Sequence, residues 1–584
     1  MRTKDRATAR PVNSAGSTFE VQTRSGRLVG SGVVRTAAGL FVLALAARAV
    51  LVALFPDPAY PDSSYYVDVA RSIAAGNGLN VDFVWIFAEV GNRLPNPAVL
   101  PIPSNAHWLP LASFIQAPFI SLLGPTALAS ALPGVLIGSL VAPLTWLIAR
   151  DAGARPIVAT AAGVISAIPG AATVFMAQPE NFAILHPLVA ATLWLTARGL
   201  KGDGRSFALA GLLAGLATLA RNDGILLAGA IGLVWLADRL RSWRARRATR
   251  SWTRADDERS TIPLVAAIGA AALFLLVMGP WWARQLAVFG SISPTSSTGA
   301  ALWIRDISEW NSITANPSLA SWLAQGWDAI VASRLDGLTA ALGNFAVMIA
   351  SVVLLPFLIL GIAARRHSRD FGPWFVYTFI AFAGATFLYP LHVPGGAFIH
   401  TAIGLAPHAA ILSMEGVLVF VSWFARRRDT WQTGPAGTIF VWSIVALVVG
   451  SAVIFTRPVQ AGWDAVRQPR VALAAYLESH QVPRDDRILS IDAGGIKYWT
   501  GHPGVVTPDD PIEVIESVAR AYETRWLVVE RGDAARALAP VLAGTRPAWI
   551  GQPAFAFPAD DGGLPQLALF PVCTTAGDTR CGAT

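Results

Sequence analysis

ALASALPGVLIGSLVAPLTWLIAR, residues 127–150, runs from Ala127 to Ala149 without a charge and closes on Arg150. A helix advances about 1.5 Å per residue, so this run is long enough to cross a hydrocarbon layer of about 30 Å. Ten further apolar runs accompany it, near residues 36–56, 156–177, 181–198, 206–220, 224–238, 262–283, 339–363, 371–390, 398–424 and 436–456. The runs at 206–220 and 224–238 are short and read as a tightly turned pair. Composition agrees: of 584 residues, 54% are hydrophobic and only 14% charged, against about 25% in ordinary globular chains. No soluble fold hides that much apolar surface. The expected fold class is therefore an α-helical polytopic membrane protein of about 11 transmembrane helices.

The positions of Lys and Arg orient the bundle. The first 35 residues hold seven of them and no periodic apolar face, which predicts a disordered cytoplasmic tail, 1–35. Alternate turns after it are basic: 150–155, 198–205, LADRLRSWRARRATRSWTRADDER at 236–259, ARRHSR at 364–369 and ARRRD at 425–429. With the tail they carry 26 of the 45 basic residues, whereas the opposite loops before residue 457 carry six. The positive-inside rule then places the N-terminus in the cytoplasm of a cell whose plasma membrane the chain spans many times. It also reads the net charge of +8 as a topology signal, which excludes nucleic acid as the partner. A span at 108–124 would invert every later turn, so that stretch is expected along the outer interface.

Three regions then lie outside. They are the first outer loop, 57–107, the segment 284–338, and the region after the transmembrane domain 36–456. In 457–584, RILSIDA and RWLVVE read as strands and PIEVIESVARAYE as an amphipathic helix, predicting a small C-terminal α/β extracytoplasmic domain. Cys573 and Cys581 either pair there or stay as thiols.

Outer-face polar residues are few. In DPAYPDSSYYVDVARSIAAGNG, residues 57–78, Pro61 starts a helix with Asp62 at its positive end, as cap or as catalyst. Tyr66, Ala70 and Ile73 share one face of that helix, and Asp68 lies on another, expected to be solvated. Glu180 sits in the otherwise uncharged turn AQPENF at the membrane edge, where a carboxylate is a functional candidate unless it caps a helix. Arg221 and Asp223 in ARNDG read as an internal pair, and Arg48, mid-span, requires a partner. Arg71, Arg93, His107 and Arg284 are candidates to hold a phosphate, since guanidinium forks match its oxygens. His392 and His400 in YPLHVPGGAFIH form a weak metal pattern, with interfacial hydrogen bonding the alternative.

The ordered set DSSYYVDVARSIAAGNG, HWLPLASFIQAPFISLLGP, ALPGVLIGSLVAPLTWLIAR, the Glu-bearing turn and FALAGLLAGLATLARNDGILL resembles the GT-C glycosyltransferases over roughly residues 36–300. Among them it is similar to bacterial relatives of the protein O-mannosyltransferases and of the lipid A aminoarabinose transferase. The resemblance implies a polyprenyl-phosphate-linked sugar donor, membrane lipids as surroundings, and a cell-envelope glycan, lipid or protein acceptor. It makes Asp62 the catalytic acid and Glu180 its helper. Tyr65, Tyr66, Trp303 and His400 are expected in the substrate cavity, Trp303 stacking on sugar unless it packs at the membrane interface. Asp62 and Glu180 also suit a hard divalent cation, Mg²⁺ or Mn²⁺, without demanding one. The chain departs from the mannosyltransferase pattern in the single acid between Pro61 and Ser63, and in WLP after His107. A transporter or flippase of lipid-linked saccharides is the competing class; it is disfavoured by the absence of an inverted repeat and by polar residues in outer loops rather than at mid-membrane.

Overall fold

A computed structural model describes residues 31–248, 262–294, 300–389, 396–428, 432–532, 535–558, 563–574 and 578–581. The basic tail up to residue 30 and His392 lie outside the described residues.

Every apolar run contains helix. Six described helices are long and apolar enough to cross a membrane: α1 (Ser31–Leu54), Ala127–Asp151, made of α4 (Ala127–Ser139) and α5 (Val141–Asp151), α7 (Phe182–Leu200), α10 (Leu264–Phe289), Ala397–Ala425 and Thr433–Ser479. A seventh is a pair, α6 (Pro156–Ala167) and the 3₁₀ helix Gly170–Ala177, bent by 53° where Pro169 interrupts the backbone ladder. The remaining runs give shorter or interrupted helices, including α8 (Gly204–Ala220), Leu355–Arg365 and Gly372–Leu388, and the 24-residue α9 (Ile225–Ala248), whose second half is basic. The expected tightly turned pair corresponds to α8 and α9, joined by the turn Asn222–Gly224, but only α8 is short; α9 has 24 residues. The chain is thus a multi-pass membrane protein.

Small residues let these helices touch. A Cβ on Gly211 of α8 would lie 2.0 Å from the Ala270 carbonyl oxygen of α10, and one on Gly416 would lie 1.8 Å from that of Phe357. Backbone meets backbone at both places, as in membrane bundles where packing rather than hydrophobicity holds helices together. Arg48 is fully buried and donates to the carbonyl oxygens of Ala44 and Ala167 at 3.2 and 3.3 Å. Its partners are backbone, not an acid.

Above the bundle, α2 (Pro61–Ala74) and α3 (Leu111–Leu123) pack together, and the expected strands join a six-stranded sheet. Its order is β2 (Phe83–Val84), β5 (Gly504–Val506), β4 (Ile488–Ser490), β6 (Trp526–Glu530), β8 (Leu567–Pro571), β7 (Phe555–Phe557). The first four run parallel and the last two pairings are antiparallel. The small antiparallel pair of β1 (Asn80–Val81) and β3 (Ile102–Pro103) flanks β2 within the loop 57–107. That loop therefore supplies an edge strand to the C-terminal sheet. The predicted amphipathic helix forms at Ile512–Ala521. Helix Thr433–Ser479 passes residue 457 without a break and plants Leu473 and Leu477 under the sheet. Its Arg470 reaches Asp492 at 2.6 Å and Glu530 at 2.8 Å. Cys573 and Cys581 are joined in a disulfide.

Candidate functional site

Helix α2 begins on Pro61, after Tyr60 in extended backbone, so Asp62 falls in the first turn and is not the cap. The positive end of the helix faces it. Glu180 follows the bend at Pro169 and the 3₁₀ helix, in a turn pinned from two sides. Gln116 of α3 donates to the Pro179 carbonyl oxygen at 2.8 Å, and the Ala59 amide donates to Gln178 at 3.0 Å. Neither Glu180 nor Asn181 caps α7 with its side chain; Asn181 instead donates to the Tyr66 hydroxyl at 2.5 Å.

These two turns bring Asp62, Glu180 and His400 together, with one ligand atom of each within 4.8 Å of the others. Tyr60 donates to Glu180 at 2.8 Å, and His400 stacks on Phe182 with ring centroids 3.9 Å apart. Arg221 supplies the counter-charge. It stands in extended backbone where α8 ends, donates to Asp223 at 3.1 Å, and lies over Trp108 at 5.2 Å. The expected Arg221–Asp223 pair exists, but it does more than stabilise a turn: Arg221 acts electrostatically on Asp62, Glu180 and Tyr66. Asp223 also accepts a hydrogen bond from Thr401, next to His400, and so ties the Arg221 turn to the His400 helix.

Electrostatics separate the two acids. Burial raises Asp62 to about 6, with Arg221 opposing. Burial, then the charge on Asp62, raises Glu180 to about 8, with Tyr60 and Arg221 opposing. Near neutral pH the pair carries one negative charge, chiefly on Asp62. Burial and Arg221 depress His107 to about 3, so its imidazole is neutral.

The other expected residues divide. Tyr65 and Tyr66 are buried in α2; Tyr65 donates to Glu89 at 2.9 Å and accepts from the Asn105 amide at 2.8 Å. His107 adjoins the site through Trp108, at 4.6 Å between ring centroids. Arg71 is held elsewhere: it contacts Asp68 at 3.5 Å and covers the Tyr498 ring at 4.3 Å. Asp68 is not solvated but only 7% exposed, and it lines a cavity together with Arg71 and with Lys497 and Tyr498 of the C-terminal domain. Arg93 lies exposed after Gly91. Arg284 donates to Gln285 at 2.8 Å and to the Leu79 carbonyl oxygen at 3.4 Å. Trp303 packs on Trp322. Tyr60 and Thr401 escaped the sequence reading, since nothing in their spacing distinguishes them from ordinary loop and helix residues, and Asn181 stood there only as an alternative helix cap. Arg221 carried a signal, as one of only six basic residues in the outer loops.

Fold and site define a class: polytopic membrane proteins that gather acidic side chains on one face of a helical bundle, beneath a docked α/β domain. Residues 104–251 match the family model described as dolichyl-phosphate-mannose-protein mannosyltransferase. The fold is similar to that of ArnT from Cupriavidus metallidurans bound to undecaprenyl phosphate. The TM-score is 0.55 at 14% identity, over 94% of this chain and 98% of that one. The apo state of the same ArnT gives a TM-score of 0.51 at 12% identity, over 95% and 99% of the two chains. An oligosaccharyltransferase from Archaeoglobus fulgidus, in complex with Zn and sulfate, gives 0.48 at 14% identity, over 91% of this chain and 73% of that one. No curated protein matches the sequence. The resemblance read from residues 36–300 meets a family model over residues 104–251 and, in fold, ArnT.

Proposed function

We propose that this protein is a membrane glycosyltransferase that moves a sugar from a polyprenyl-phosphate donor to an acceptor hydroxyl on the extracytoplasmic face. The observation that carries the reading is the convergence of Asp62, Glu180 and His400 beside Arg221. Asp62 is the general base: it removes the acceptor hydroxyl proton as that oxygen attacks the anomeric carbon. The carbon–oxygen bond to phosphate breaks, the lipid phosphate leaves with the electron pair, and the anomeric centre inverts. A base with a pKa near ambient pH suits this role, and about 6 is in that range. Arg221 is the fixed positive charge facing the developing phosphate charge. An apolar cavity of about 250 Å³, lined by Met278, Trp281 and Trp282 beside His107 and Asn222, suits the first isoprene units of the donor.

The donor set also fits a divalent cation. Among the described residues Glu180 Oε2 and His400 Nδ1 make no hydrogen bond, and carboxylates with an imidazole suit Mn²⁺ as well as Mg²⁺. When bound by Asp62, Glu180 and His400, such an ion supplies charge neutralisation for the leaving phosphate.

The first test is transfer from a labelled polyprenyl-phosphate sugar to membranes supplying the acceptor. Asp62→Asn, with normal expression and melting temperature, is expected to lose about 10³-fold in rate. Full transfer by this variant rejects Asp62 as base, and movement of intact lipid without a new glycoside favours the flippase. The orientation, with the N-terminus cytoplasmic and 457–584 outside, predicts that a reporter active only outside the cytoplasm works when fused after residue 574 but not at residue 1.

A further inference from the structure

The segment after α10 is gripped from the C-terminal domain at one buried point, Asp510, besides an exposed pair between Arg536 and Asp306 at 3.1 Å. The Asp510 carboxylate, 6% exposed, accepts from Ser312 Oγ at 2.6 Å, from the Ile313 amide at 2.7 Å, from the Thr314 amide at 3.4 Å and from the Thr314 hydroxyl. Ser312 Oγ in turn accepts from the Ala315 amide at 2.8 Å, so the bonds close a compact turn around one acid. Asn92 of the first outer loop donates to the Ser312 carbonyl oxygen at 3.4 Å from the other side. A few residues earlier, Trp310 sets its ring edge-on against His107, with centroids 5.1 Å apart. Trp108, the neighbour of His107, lies under Arg221. One contact series therefore leads from the sheet domain to the wall of the acidic site.

We propose that Asp510 is a positioning residue: by fixing residues 312–314 it holds Trp310 against His107 and so shapes the site on the bundle. The proposal rests on the glycosyltransferase reading for its effect on catalysis, but the grip itself does not. A carboxylate has acceptor capacity only, and the loop offers it donors only, so the match is one of chemistry as well as shape. Removing the acid leaves two backbone amides and two hydroxyls without their acceptor. Hydrogen bonds to a charged partner are among the stronger ones, enough to change the population of the docked loop by about tenfold or more.

The test uses the full chain in detergent or nanodiscs and compares Asp510→Ala with the loop-side variant Ser312→Ala/Thr314→Val. The second leaves the sheet domain intact should the first destabilise it. Hydrogen exchange of 302–316 is read without any substrate, and both variants are expected to lose protection there by about tenfold while the α7 and α8 amides keep theirs. With a lipid-linked sugar, KM for the donor is expected to rise by about tenfold and kcat to stay within about twofold. Combining the two variants should add little to either alone, because both remove the same bonds. Unchanged exchange at 302–316 in both variants overturns the proposal, as does an unchanged KM in variants whose loop has been released. If the wild-type protein transfers no sugar, the glycosyltransferase reading fails, and the exchange measurement still decides the grip.

Discussion

Arg221 shows what single residues contribute here. It faces Asp62, Glu180 and Asp223 at once, so its removal leaves buried acids without a counter-charge, at a cost of about 3–5 kcal/mol. Arg221→Gln is expected to lower the melting temperature and abolish transfer, whereas adding Asp223→Asn restores much of the stability but not the activity. A result in which the double variant regains transfer removes Arg221 from the site. Glu89 gives a pH-dependent case outside the site. Burial raises its carboxyl to about 7, above an unfolded value near 4.5, while Tyr65 and the His107 amide donate to it. Folding therefore favours the protonated form, and the cost appears as pH rises through the window from 4.5 to 7. Thermal melts of wild type against Glu89→Gln are expected to diverge across that window. The wild type should fall behind by up to about 3 kcal/mol at pH 8 and draw level below pH 4.5. Asp62 and Glu180 were legible as candidates because charges are scarce in an apolar sequence. Their meeting with His400 was not, since the three lie more than 100 residues apart along the chain.

At the scale of elements, glycine placement separates contact from decoration. Gly416 lies in a helix whose backbone touches Phe357, so Gly416→Ala must push two helices apart; a loss of 2 kcal/mol or more is expected, by analogy with overpacked cores. Gly229 and Gly232 on α9 have no atom near the added methyl, and Ala there is expected to be neutral or stabilising by up to about 1 kcal/mol. Detergent melts of the three variants decide this, and equal effects remove the packing argument. The helical runs were readable because about 20 apolar residues have few other uses. Bends at Pro169 and close helix contacts are tertiary outcomes that hydropathy does not encode.

At the scale of the molecule, the C-terminal domain is part of the site's framework. Its sheet takes Phe83–Val84 as an edge strand, Lys497 bonds to Asp82 at 2.6 Å, and Tyr498 donates to Asp57 at 3.1 Å. A chain ending at residue 456 retains Asp62, Glu180 and His400, yet it is expected to be inactive and proteolytically sensitive between residues 75 and 105. Cleavage no faster than in the full chain counts against the framework role.

The sequence by itself determined the membrane class, the apolar runs, the α/β character of the last 128 residues and the scarce acids worth watching, because hydropathy and charge act locally along a chain. Only the tertiary structure decided which of those acids meet, that Asp68 is buried, and that the segment 57–107 is woven into the terminal sheet. Such facts depend on which surfaces exclude each other from solvent, and that is settled by packing between segments hundreds of residues apart.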